Sequence, residues 1–271
     1  MRGNSIQPKH VEVKCGDQSL RIRYVDFGEG MPLLYLHGWG CDYTIFYPLM
    51  EQLEAVGRHI ALDFPGFGES KMPLAVWGTE DYADCVLQVM RELGLGPCIV
   101  VGHSFGCRVA ARSAKRAKER MAGMVWIAAA GIKRKTPWRR RMKIKTIRAT
   151  ARWAERCLPG DWGRRIKDHL YRRIASRDYL SAGDLRPIFV RVVNEDLTGL
   201  LPDIRVPTLL IYGSDDRETP PDVGRRLHEL LAGSKYIEIP GFDHFSILDR
   251  GKFQVGAQIR RFLEELQEEK K

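Results

Sequence analysis

Six short runs of this chain are apolar almost throughout rather than at alternate positions. They are Leu33-Leu34-Tyr35-Leu36, Ile60-Ala61-Leu62, Cys98-Ile99-Val100-Val101, Met124-Val125-Trp126-Ile127, Thr208-Leu209-Leu210-Ile211-Tyr212 and Tyr236-Ile237-Glu238-Ile239. A strand with one face in water alternates, whereas a strand covered on both faces has no polar side to keep. Most of the runs are separated by amphipathic stretches of helix length. The pattern therefore predicts an α/β fold, a mostly parallel central sheet with helices on both faces. An alternating hairpin precedes it, Val11–Lys14 and Leu20–Val25 joined at Gly16-Asp17.

The rhythm breaks once. Between about Ala130 and Leu201 some seventy residues carry no strand signal. Thr136-Pro137 reads as a helix start running to Cys157 before Pro159-Gly160. Asp161 caps a second helix through Trp162, Ile166, Leu170 and Ile174, and Asp184 caps a third through Leu185, Phe189, Val192, Val193 and Leu197. The expected organisation is a core domain of residues 1–130 and 201–271 with an all-helical cap, 131–200, inserted above the strand ends. The charge follows the same division. Of 44 Lys and Arg and 34 Asp and Glu, the insert holds 19 and 7, a net of +12, which leaves the remainder at −2.

With 271 residues, 44% hydrophobic and 29% charged, the chain has the composition of a soluble globular protein. Arg2, Asn4, Gln7, Lys9 and His10 interrupt any signal-peptide core, and no run approaches a membrane span, so a cytoplasmic location is expected. Six scattered cysteines form no CxxC pair and no metal-like spacing with histidine. Neither a metal nor a cofactor is expected.

Gly102-His103-Ser104-Phe105-Gly106 lies directly between the strand ending at Val101 and a helical run from Cys107. A serine in such a strand-to-helix turn has its hydroxyl thrust out of the fold, and Gly102 and Gly106 keep side chains out of a crowded place. The helix start supplies N–H groups where an oxyanion would form. Serine needs a base held by a third group. His244, in the loop after the last strand, is the candidate base, while His37 at another strand end is assigned a structural role. The turn Gly213–Pro220 offers Asp215 or Asp216 as the orienting acid, in the order Ser, Asp, His.

Four segments together resemble the α/β-hydrolases with a helical cap: His37-Gly38-Trp39-Gly40, Asp63–Ser70, the Gly102–Gly106 elbow, and Gly213–Pro220 with Gly241–His244. The resemblance extends from about Lys9 to about Leu266. It implies Asp216 rather than Asp215 as the acid, and the N–H groups of Trp39 and Phe105 as the oxyanion hole. Gly38 belongs to the same structural surround. Cys107 stands where many relatives have a second glycine, with only a slight change of packing expected.

The expected activity is hydrolysis of a carboxylic ester or thioester through an acyl-Ser104 intermediate. Carbon–carbon bond hydrolysis, perhydrolysis, and a non-enzymatic ligand-sensing role are the alternatives. Trp138, Trp153, Trp162, Tyr171, Tyr179 and Phe189 are available to line an acyl pocket. The Trp39-Gly40 step and the basic cap are similar to those of esterases acting on methyl esters of acyl chains on acyl carrier protein. The first reading of the basic cap is a solvated helical face. An anionic substrate or acidic carrier protein comes second, and an anionic membrane surface third. Nucleic acid is not expected, since no recognition motif accompanies the charge.

Overall fold

The computed structural model describes residues 6–133, 138–158, 161–172 and 177–269. Its first half contains β1 (Lys9–Cys15), β2 (Gln18–Phe27), β3 (Pro32–Leu36), α1 (Tyr47–Gln52), β4 (Arg58–Leu62), α2 (Thr79–Glu92), β5 (Cys98–His103), α3 (Phe105–Arg116) and β6 (Met121–Ile127). Among the described residues four helices then follow with no strand between them: α4 (Trp138–Cys157), α5 (Trp162–Arg172), α6 (Arg177–Ser181) and α7 (Arg186–Val193). The chain then returns to β7 (Thr208–Gly213), α8 (Pro221–Leu230), β8 (Lys235–Ile239), α9 (Ser246–Asp249) and α10 (Lys252–Glu268).

All eight strands join one sheet in the order β1-β2-β4-β3-β5-β6-β7-β8. The β1–β2 and β2–β4 pairs are antiparallel, and every pair from β4 to β8 is parallel. The apolar runs behave as their composition demands. Every residue of β5 and β7 is buried. Leu33, Tyr35, Ile99, Val101, Val125, Ile127, Leu209 and Ile211 share a cluster with Phe46, Leu49 and Met50 near α1 and with Val255, Ile259 and Phe262 of α10. The alternate residues Leu34, Val100, Trp126, Leu210 and Tyr212 are buried as well, on the opposite face. There α8 lies so close to Tyr212 that a Cβ at Gly224 would come 2.5 Å from its ring. Strand β8 is at the edge, and Glu238 uses its exposed side to meet Arg225 at 2.8 Å. Among the described residues no helix is long and apolar enough to cross a membrane.

The chain divides into one unit of residues up to Ile132 together with Asn194 onward, and a second of Lys133–Val193. The sequence reading carries the insert to residue 200. Residues 194–200 are instead held by the core: Glu195 accepts from the guanidinium of Arg112 and the hydroxyl of Thr79, and its carbonyl accepts from Arg108 at 3.0 Å. Leu197 donates its N–H to Gly131 at 2.8 Å. Polar anchors of this kind leave no periodic trace in a sequence.

In the second unit α4 and α5 pack closely, with Ala151 and Ala154 buried. Gly163 permits this approach, since a Cβ there would lie 2.5 Å from the Ala154 carbonyl oxygen. Lys167 and Glu155 pair at 2.7 Å. The expected helix start at Thr136-Pro137 and the residue Ile174 lie outside the described residues. The spacing did not foresee α6. The third expected helix is a 3-10 turn, Gly183–Leu185, running into α7, and it ends before Leu197.

Gly106 sits where a Cβ would strike the Leu36 carbonyl oxygen of β3. That oxygen is backbone and cannot swing aside. Gly106→Ala is therefore expected to cost about 3 kcal/mol or more, read as a lowered urea midpoint with unchanged slope, or to prevent folding.

Candidate active site

Ser104 joins β5 to α3 at φ 49°, ψ −106°, a region that a residue with a side chain enters only under constraint. Its surroundings impose the turn. Its N–H donates to Ile127 O at 3.0 Å, and its carbonyl accepts from Cys107 N at 3.2 Å. A Cβ at Gly102 would come 2.9 Å from Cys107 N. Cys107 is completely buried, with its thiol directed at Ile127 O at 3.8 Å and pushed upward in pKa by that burial. It packs the elbow and is not a reactive thiol.

The two aspartates separate cleanly. Asp215 is exposed and accepts from the Ser214 hydroxyl at 2.8 Å. Asp216 is buried, and its Oδ2 lies 2.7 Å from His244 Nδ1. Its Oδ1 accepts the N–H groups of Glu218 at 2.8 Å and Thr219 at 2.9 Å. Burial alone would raise this carboxyl, but the hydrogen bonds and charge of His244 and the donors of Thr219 outweigh it and hold Asp216 below the usual carboxylate range. With Nδ1–H donated to Asp216, His244 keeps Nε2 as its free acceptor.

Three neighbours of this pair were not singled out from the sequence. The Thr219 hydroxyl is 2.9 Å from both Ala128 O and Asp216 Oδ2, so it ties Asp216 to the end of β6. Glu218 places Oε2 3.6 Å from His244 Nε2. His103 donates Nε2–H to the His244 carbonyl at 2.9 Å, and the two rings lie 4.8 Å apart. His103 is the residue before Ser104, so this bond fixes the histidine loop to the serine elbow. Thr219 and Glu218 could have been read from their place beside Asp216. A backbone acceptor 141 residues away, as for His103, leaves no sequence signal.

The β3–α1 loop completes the site. The rings of Trp39 and Phe105 meet edge to face at 5.6 Å, which brings the loop after β3 against the first residue of α3. Gly38 permits the contact, because a Cβ there would lie 2.7 Å from His103 Nδ1 and 3.5 Å from Ser104 Cβ. Both ring nitrogens of buried His37 are used, Nδ1 toward Gly38 O at 2.7 Å and Nε2 accepting from Phe64 N at 2.9 Å. Trp138, Trp153 and Trp162 are exposed rather than gathered in an apolar lining, whereas Phe189 is buried and meets Tyr179 at 6.4 Å. The side chain of Tyr171 lies outside what the structure describes.

Residues 33–255 match the alpha/beta hydrolase family. The chain belongs to the α/β-hydrolase family. A 2-(acetamidomethylene)succinate hydrolase from Mesorhizobium japonicum is 25% identical over 251 residues, covering 86% of this chain and 87% of that protein. A pimeloyl-[acyl-carrier protein] methyl ester esterase from Vibrio campbellii is 25% identical over 233 residues, with 80% and 89% covered. The structure of a thermophilic esterase from Thermogutta terrifontis superposes with a TM-score of 0.69 at 24% identity, covering 95% of this chain and 99% of that one. This α/β-hydrolase is accordingly an enzyme of a family whose similar members are hydrolases and esterases.

The buried imidazoles make the fold of this α/β-hydrolase sensitive to acid. Burial lowers His37 to about 4 and His103 to about 3. Unfolded imidazoles protonate near pH 6.5, so between about 6.5 and those values the unfolded chain binds protons that the folded chain refuses. Stability should therefore be complete above about pH 6.5 and fall as pH is lowered. Urea midpoints measured across that window should decline steadily. In His103→Asn the slope should be shallower by up to about 1.4 kcal/mol per pH unit.

Proposed function

We propose that this α/β-hydrolase cleaves a carboxylic ester or thioester of a small acyl compound through an acyl-Ser104 intermediate. The observation that carries the reading is the 2.7 Å pairing of His244 Nδ1 with buried Asp216, in a loop bonded to the residue before Ser104. Ser104 Oγ attacks the carbonyl carbon while His244 Nε2 takes its proton. The negative oxygen that forms is stabilised by the N–H groups of Trp39 and Phe105, the latter at the positive end of α3. The imidazolium is held by Asp216, and it returns its proton to the departing alcohol or thiol. Water then repeats the sequence on the acyl-enzyme, which frees the acid and restores Ser104.

The charge distribution bears on the substrate. Residues 133–193 hold 19 basic and 5 acidic side chains, a net of +14, against −4 for the rest of the chain. Such a segment draws anionic species, whether an anionic ester or an acidic protein carrying the acyl group. Esterases of the pimeloyl-carrier kind are among the relatives.

Ser104→Ala should abolish turnover of a p-nitrophenyl ester series and remove the acyl adduct from the intact-protein mass. Asp216→Asn should lower kcat on the order of 10³–10⁴-fold, because it leaves His244 without its orienting charge. Asp215→Asn should stay within about threefold of the parent, since the Asp215 carboxylate is exposed and accepts from the Ser214 hydroxyl while Asp216 faces His244. Loss of activity in Asp215→Asn with Asp216→Asn intact would overturn the assignment.

A further inference from the structure

Helix α4 is packed inside out. Its buried side is formed by Ala151 and Ala154, with Ile144 and Ile147 half-buried beside them. At 3.6 residues per turn the opposite side carries Trp138, Met142, Lys145, Ala149, Trp153 and Arg156. All six are exposed, Trp138 by 70%, Met142 by 53% and Trp153 by 59%. Trp162, which opens α5, is 69% exposed. A helix serving only the interior of a soluble protein turns its indoles inward before its alanines, because an indole has far more apolar surface to remove from water. The exposed apolar residues are also embedded in charge of one sign. Helix α4 has eight Arg and Lys and a single acid, Glu155.

We infer that the Trp138–Met142–Trp153 face of α4 is a membrane-docking surface that seats the second unit on anionic lipid headgroups. An indole belongs at the boundary between headgroups and acyl chains, where its ring is shielded and its N–H stays wet. Flanking Lys145, Arg148, Arg152 and Arg156 lie at headgroup level and supply the attraction. Charge complementarity selects an anionic surface. The tryptophans select a lipid one, since an acidic carrier protein satisfies the arginines and lysines without any need for exposed indole. This surface is independent of the triad, and it would deliver a membrane-associated or amphiphilic ester to the enzyme.

The test is co-sedimentation of the full chain with vesicles of phosphatidylcholine alone and with vesicles containing phosphatidylglycerol. Tryptophan emission is followed in parallel. Binding is expected only to the phosphatidylglycerol vesicles, weakening as salt rises, with a blue-shifted emission. Trp138→Ser/Trp153→Ser should weaken the binding about tenfold or more and cancel the blue shift, with circular dichroism unchanged. Lys145→Glu/Arg152→Glu, which keeps both indoles, should weaken it comparably. Absence of vesicle binding, equal binding to phosphatidylcholine, unaltered binding by the tryptophan variant, or binding to an acidic acyl carrier protein in place of vesicles would each overturn the inference. Loss of hydrolysis in Ser104→Ala leaves the vesicle measurement untouched, so the two readings fail separately.

Discussion

Backbone crowding at the serine elbow is the constraint on which the site depends. The start of α3 presses on the end of β3 until Gly106 meets the Leu36 carbonyl, and Gly102 lies against the amide of Cys107. With both neighbours compressed, Ser104 has no relaxed conformation to occupy and stands at φ 49°. The same compression brings Gly38 against His103 and sets Trp39 on Phe105. Ser104, the Trp39 and Phe105 contact and the His103 side of the histidine loop are thus brought together where β3, β5 and α3 pack. A local strain of about 1–3 kcal/mol persists because the parallel sheet around it is buried on both faces.

Two buried carboxylates show how that scaffold assigns different work to the same chemistry. Asp63 accepts the N–H groups of Tyr43 at 2.9 Å and Glu69 at 3.2 Å, with Arg23 3.7 Å away. Burial nevertheless wins there, and its pKa is raised. Asp216 is also buried, yet it faces an imidazole at 2.7 Å and three donors from Glu218 and Thr219, so its pKa is lowered. Asp63 folds the loop of residues 63–70 around itself, while Asp216 holds a charge against a ring. Ionisation therefore follows the donor set rather than depth of burial.

The parallel sheet was legible because burial on both faces writes continuous apolar runs, and the elbow because glycines flank a serine between strand and helix. Asp216 was open from the residues alone, and only the family resemblance separated it from Asp215. Contacts that join distant backbone groups had no such trace. The His103 bond to the His244 carbonyl and the Arg108 bond to the Glu195 carbonyl each need only a donor, and the acceptor is a backbone oxygen that every residue carries. The end of the insert was misplaced for this reason. Helical spacing alone could not distinguish Leu197, which returns to Gly131 of the core, from the apolar face of α7.

The second unit carries two costs that a self-sufficient helical hairpin would avoid. Concentrating a net +14 on residues 133–193 makes each guanidinium and ammonium repel the others. Leaving Trp138, Trp153 and Trp162 outside forgoes about 2 kcal/mol or more of burial for each indole. Neither cost is needed for packing, since Gly163, Ala151 and Ala154 already bring α4 and α5 together. Lysine stems and solvent account for exposed charge by itself, but they do not account for exposed indole. Both costs are offset together where negative charge and an apolar boundary coincide, as at an anionic lipid surface.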